Sequence, residues 1–194
     1  MNQPELILAS SSPFRKELLQ RLHIDFKSIS PDIDETHKDS ESPTQYVKRL
    51  ALEKAQEIAL SHPDSIVIGS DQCAYLDGVI LGKPGNHQNA VKQLQNARNK
   101  EVVFYTGLCV IQPSTQFCEV DCIEFRVGFR DISDQQIEHY LTAEQPYNCA
   151  GSFKSEGFGV CLFSYLKGDD PSALMGLPLI RLINMLEQAG LKVV

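Results

Sequence analysis

The chain has 194 residues, 42% hydrophobic and 22% charged, enough to bury one good core or two small lobes sharing a sheet, and a single domain over residues 1–194 is expected. Its net charge of −7 argues against a protein that coats nucleic acid, because neutralising a phosphate backbone takes a face rich in lysine and arginine. No apolar run is long enough to cross a bilayer, and the first five residues, Met1 to Glu5, lack the basic and apolar regions of a secretory signal, so a cytoplasmic protein with no membrane partner is expected.

In chain order, Leu6 to Ala9 reads as a short apolar strand that breaks into Ser10-Ser-Ser-Pro13, after which Leu18, Leu19 and Leu22 recur at helical spacing. Ser12 fits an N-cap and Pro13 the first helical position. Strand, serine loop and helix start together point N–H groups, hydroxyls and the positive end of a helix dipole at one spot, which suits a phosphate, with Arg15 and Lys16 adding charge. Serine-rich helix starts also occur without a ligand, and no Walker pattern is present. Phe26 to Ile29 reads as a second strand. The acidic loop Pro31-Asp-Ile-Asp34-Glu35-Thr36 follows, able to ligate a hard cation or simply to be solvated.

Ser42-Pro43 repeats the cap-plus-proline start of a helix over 44–60, with Val47, Leu50, Ala51, Ile58 and Ala59 on its apolar face. Lys54 lies there between Glu53 and Ala55. A lysine beside small residues can reach past them to a ligand, although most helical lysines are solvated. Ser65-Ile-Val-Ile-Gly-Ser-Asp71 reads as a buried strand delivering Asp71 to its C-terminal end, where ligands of open α/β sheets gather. The alternative is a strand that ends in a turn-forming Asp. Asp77-Gly78 between two apolar runs marks a tight hairpin, which returns the chain into Gly82-Lys83-Pro84. Flanking turn residues make Lys83 a more pointed candidate than Lys54.

A short helix over 89–98, neighbouring strands over 102–111 and 123–129 joined by a turn near Pro113, and a capping box at Ser133 and Gln136 for a helix through Tyr140 come next. The loop from Cys149 to Gly159 interleaves three glycines with two phenylalanines, Lys154 and Glu156, and is read as a site rather than a plain turn. A strand over 160–163, an acidic turn at Asp169-Asp170-Pro171 and a helix over 177–188 close the chain. The six cysteines, Cys73, Cys109, Cys118, Cys122, Cys149 and Cys161, include no Cys-x-x-Cys pair, and free thiols in a reducing compartment are expected.

Several segments together resemble one family. Ser10-Ser-Ser-Pro-Phe-Arg15, Asp34-Glu35-Thr36, Glu53-Lys54-Ala55, Gly69-Ser-Asp71-Gln72, Gly82-Lys83-Pro84, Phe104-Tyr-Thr-Gly107, Ala150-Gly-Ser-Phe-Lys-Ser-Glu-Gly157 and Gly176-Leu-Pro178 are similar, in order and spacing, to the Maf nucleoside triphosphate pyrophosphatases, over nearly the whole chain. Within the family the chain is most similar to the branch acting on 7-methyl-GTP. The resemblance implies an α/β fold of the Maf/ITPase-like kind, an elongated mixed sheet with flanking helices and two lobes around a central cleft. It also implies a divalent metal cation, Mg or Mn, and cleavage between the α- and β-phosphates to give a nucleoside monophosphate and pyrophosphate. Ser10, Arg15, Lys54 and Lys83 would hold and neutralise the triphosphate, and Glu35 and Asp71 would position the metal, with Asp71 as base toward the attacking water.

The same resemblance assigns base selection to Phe14, Gln72 and Glu156. A 7-methylated guanine carries positive charge, so an aromatic face gains a cation–π contribution of roughly 0.5–2 kcal/mol, and a carboxylate accepts from the donors of the purine edge. The branch usually has tryptophan where this chain has Phe14, and the chain contains no tryptophan. A narrower margin for the methylated base is therefore expected. The alternatives are a dTTP/UTP pyrophosphatase of the same family and a non-catalytic nucleotide-binding regulator of cell division. A phosphatase of the haloacid dehalogenase type would need a second Asp just after Asp71, where Gln72-Cys73 stand. A homodimer is left open.

Overall fold

The computed structural model describes residues 4–194; residues 1–3, part of the stretch read above for a secretory signal, lie outside the described residues. Strand β1 (Leu6–Ala9) pairs in parallel with β2 (Lys27–Ile29) on one side and β3 (Ile66–Leu76) on the other, with Ile7 opposite Lys27 and Val67. Side chains alternate across a strand, and here both faces are covered, so β1 and the start of β3 are apolar at every position. Leu6, Leu8, Ile66 and Ile68 pack with Leu18 and Leu19 of α1 (Pro13–Gln20) and Leu182, Met185 and Leu186 of α6 (Leu179–Gln188). Ile7, Ala9 and Val67 pack on the opposite face with Ala51, Ala55, Ile58 and Ala59 of α2 (Pro43–Ala59). The expected caps form: Ser12 accepts from the Arg15 amide, and Ser42 and Gln45 make a reciprocal capping box before Pro43.

Asp71 does not end a strand. The run Cys73-Ala-Tyr-Leu76 keeps the β conformation, so β3 continues through Asp71 to Leu76 before reversing at Asp77-Gly78 into β4 (Val79–Leu81). Both turn residues have positive φ, 49° and 88°, the requirement of the two-residue hairpin turn that Asp-Gly signals. After α3 (His87–Ala97) come β5 (Glu101–Gln112) and β6 (Phe117–Phe129), neighbours in the sheet as expected, although β6 begins six residues before the predicted Ile123. Helix α4 (Asp134–Glu144) starts at the predicted box and runs a turn past Tyr140. The strand expected over 160–163 is a 3-10 turn, Phe158–Leu162, and β7 (Phe163–Lys167) begins where it ends. Gly159 explains the difference: a Cβ there would lie 2.2 Å from the Lys154 carbonyl oxygen, so the loop is folded tightly on itself. The short α5 (Pro171–Leu174) follows the cap Asp170.

The described residues thus form a mixed seven-stranded sheet, order β2-β1-β3-β5-β6-β7 with β4 on β3, flanked by helices. The chain divides into two compact units. One takes residues up to Asp71 with Thr106–Ile123 and Asp170–Val194, and the other takes Gln72–Tyr105 and Glu124–Asp169. In the second unit Phe153 meets Phe104, Phe129 and Phe163 edge-to-face at ring separations of 4.8–5.6 Å.

Candidate active site

The site in the first unit begins with how closely α2 lies on the sheet. A Cβ at Gly69 would stand 2.0 Å from the Ala51 carbonyl oxygen, and one at Gly107 would stand 2.1 Å from that of Val47. Only glycine leaves room for a helix backbone at that range, and Ala51 and Ala55 keep the facing side chains small. Lys54, between them, is carried down with the helix and is 5% exposed. Gly69 and Asp71 are two residues apart in β3 and share the face that α2 covers. The Lys54 ammonium therefore meets Asp71 Oδ1 at 2.6 Å, and it meets Glu35 Oε1 at 2.7 Å. Glu35 comes from the irregular segment after β2 and is largely exposed, so the group is open to solvent on its side. The solvated lysine that helix statistics favour is replaced by a buried one, because the small residues beside it let α2 approach the sheet.

The serine loop supplies a second cluster. Ser10 is buried, and its Oγ accepts from the Ser12 amide at 3.1 Å and from Arg15 Nη1 at 3.5 Å. Arg15 Nε donates to the Gly176 carbonyl at 2.8 Å, and Ser70 Oγ lies 2.9 Å from the same oxygen and 2.8 Å from the Gly107 carbonyl, so its single O–H is shared between the two. Gly176 holds φ +100°, a conformation glycine adopts readily. Enclosure pulls the Arg15 pKa below its usual value, and the negative charges of Asp71 and Glu35 oppose that shift. Lys54 thus pairs with both carboxylates, and Arg15, held by Gly176 and Ser10, lies within the electrostatic reach of the same two acids. Phe14 sits half-buried on the first turn of α1.

The second unit carries Gln72, Lys83 and Glu156. Gln72 is half-buried in β3. Lys83 is exposed, with the carbonyls on either side of it held by α3: Gln93 donates to Gly82 at 3.1 Å and Asn89 to Pro84 at 3.0 Å. Of Lys83 and Lys54, it is Lys54 that has carboxylate partners, at 2.6 and 2.7 Å. In the loop from Cys149, Ser152 Oγ donates to Gln93 Oε1 at 2.5 Å, and Lys154 Nζ is engaged by Glu144 Oε1 at 3.0 Å. Glu156 is exposed and accepts from Ser155 Oγ at 3.3 Å.

A family model described as Maf-like protein matches residues 5–189. The chain belongs to the Maf-like family. Curated relatives named 7-methyl-GTP pyrophosphatase include one from Methylobacillus flagellatus, 52% identical over 98% of this chain and 100% of its own, and one from Pseudomonas syringae pv. tomato, 52% identical over 98% and 99%. A third from Colwellia psychrerythraea is 50% identical over 97% and 94%. Among solved structures, the Maf-like chain shares its fold with a HAM1 protein from Coxiella burnetii, at TM-score 0.52 and 14% identity over 96% of this chain and 100% of that one. The Ham1 protein of Staphylococcus aureus gives 0.50 and 16% over 96% and 99%.

No group of three or more His, Cys, Asp or Glu suited to a metal occurs among the described residues of the Maf-like chain. The donor set available to a divalent cation is the Glu35–Asp71 pair, whose oxygens lie within hydrogen-bond distance of one ammonium and so close to each other. A small hard cation that keeps its waters and takes phosphate oxygens needs no more than one or two carboxylates, and the pair fits that demand. Residues given no role of their own in the sequence reading also shape the site. Ser70 fixes the carbonyl that Arg15 uses, and Gly107 seats α2. Arg49 of α2 binds Glu41 and Glu53. Its one sequence signal was the spacing of four between Arg49 and Glu53.

Proposed function

We propose that this Maf-like chain hydrolyses 7-methyl-GTP to 7-methyl-GMP and pyrophosphate in the cytoplasm. The observation that carries the reading is end-to-end likeness, at about half identity, to relatives whose names give that activity. The arrangement of charge supports it. Lys54 and Arg15 are fixed cations beside two carboxylates, where developing negative charge on a triphosphate gains most from preorganised donors. An ammonium has three donors, two of which go to Asp71 and Glu35, leaving one for a phosphate oxygen. Ser10 and Lys83 complete the set that holds the triphosphate.

Glu35 and Asp71 would hold a divalent cation, Mg or Mn, which when bound lowers the pKa of water and screens phosphate charge. Asp71 takes the proton of the attacking water, and the salt bridge from Lys54 keeps its carboxylate in one orientation. Phe14 stacks on the base, while Gln72 and Glu156 read its edge.

A panel of nucleoside triphosphates assayed for pyrophosphate release, with and without magnesium or manganese, tests the reading. The expected result is fastest turnover of 7-methyl-GTP, dependent on the metal. Equal or faster turnover of UTP or dTTP overturns it.

A further inference from the structure

Glu35 stands on a stretch with no regular structure, yet its carboxylate meets Lys54 at 2.7 Å, so something must hold that stretch in place. The ties run to one turn of α2. Arg49 Nε and Nη2 grip both oxygens of Glu41 at 2.5 and 2.8 Å, and Nη2 also donates to the Thr36 carbonyl at 3.0 Å. Nη1 is braced by Glu53 of the same helix at 3.0 Å. Tyr46, one turn earlier, donates its hydroxyl to the carbonyl of Glu35 itself at 3.0 Å, and the Arg49 guanidinium lies 5.7 Å from the Tyr46 ring centre. Asp34 accepts from the Thr36 amide at 2.9 Å, tightening the turn between these anchors. Thus the segment from Glu35 to Glu41 is fastened at Glu35, Thr36 and Glu41 to the helix that also carries Lys54.

We infer that Arg49, with Tyr46, is a positioning residue that fixes Glu35 against Lys54 and Asp71 and so sets the acidic pair before substrate arrives. The planar fork of arginine suits this role, because it reaches a carboxylate with two parallel bonds while giving others to a carbonyl and a second acid. Lysine has the charge without the fork. The inference rests on the role proposed above for Glu35.

The test compares wild type with Arg49→Lys, Tyr46→Phe, Glu35→Gln and the double variant Glu35→Gln with Arg49→Lys. Residues that orient a ligand carboxylate commonly account for about 10–100-fold in activity, and a kcat loss of that size is expected for Arg49→Lys with KM little changed. Tyr46→Phe removes one neutral hydrogen bond, so a loss of about 2–10-fold is expected, and it stands in if Arg49→Lys does not fold. If Arg49 acts through Glu35, the double variant is no slower than Glu35→Gln alone. Wild-type kcat in both Arg49→Lys and Tyr46→Phe overturns the inference, as does a double variant slower by the full Arg49→Lys factor. Hydrogen exchange needs no turnover: Arg49→Lys should speed exchange of amides over 34–41 while α2 keeps its protection, and unchanged exchange also overturns it. Absent wild-type turnover would count against the proposed function, and exchange would still decide this clamp.

Discussion

Gly69→Ala sets two effects against each other. In an open strand position alanine should stabilise by about 0.5–1 kcal/mol, because glycine loses more backbone freedom on folding. Here the added methyl would stand 2.0 Å from the Ala51 carbonyl oxygen and 2.9 Å from the Ala55 amide nitrogen, both backbone atoms of α2 that no side-chain rotation can clear. Restoring ordinary contact takes a retreat of α2 by roughly 1.4 Å, and overpacking of that kind costs about 1–3 kcal/mol. The overlap is severe, so the steric cost should fall at the upper end and leave a net loss of about 2 kcal/mol. For a chain of this length that lowers the melting temperature by roughly 4–8 °C. The same retreat draws Lys54 away from Asp71, and misplacement by about 1 Å can cost as much as 100-fold in rate. Calorimetry and pyrophosphate release on one preparation measure both effects. A variant that melts at or above wild type with full turnover would show that α2 does not lie on β3 as described.

The pH dependence of stability should report the Arg49 clamp. Hydrogen bonding from Arg49 holds Glu41 down to about 2 from an ordinary 4.5, so its contribution is complete above 4.5 and fades as pH falls from there toward 2. Urea midpoints at about pH 5 and about pH 3 should differ less in Arg49→Lys than in wild type; an identical difference would remove Glu41 from the account. Thiol labelling should reach the exposed Cys118 first, while Cys73 and Cys109 stay protected until unfolding, since burial raises the Cys109 pKa. Early labelling of Cys109 would contradict its placement between sheet and helix. Phe14→Trp should raise the kcat/KM ratio of 7-methyl-GTP over GTP by about 2–5-fold, a stronger cation–π face acting on the charged base. An unchanged ratio would separate Phe14 from base selection.

Much of the fold was legible because local chemistry and tertiary packing agree. Ser12-Pro13, Ser42-Pro43 and Ser133 with Gln136 start helices where they should, and Asp77-Gly78 makes its hairpin. What escaped depended on contacts between distant segments. Asp71 looked like a strand end because Gly-Ser-Asp reads as a turn, yet pairing within the sheet carries β3 on to Leu76. Lys54 looked solvated because periodicity assigns it no partner. Only the approach of α2 to Gly69 and Gly107, 15 and 53 residues along the chain from Lys54, buries it. The strand expected at 160–163 gave way to a turn because Gly159 folds against Lys154. The residues Arg15, Glu35, Lys54 and Asp71 were all given roles from sequence, whereas the props that hold them were not: Ser70 and Gly176 stood only inside segments that carry the family resemblance, and Arg49 showed only its spacing of four to Glu53.

Asp71→Asn tests the central claim most directly, because it keeps the shape of the side chain and removes its capacity to take a proton. Pyrophosphate release from 7-methyl-GTP should fall by at least about 100-fold, the scale of general-base catalysis. Binding of the same nucleotide to the variant, measured by calorimetry over the time before turnover, should persist. Wild-type turnover by Asp71→Asn would contradict the account.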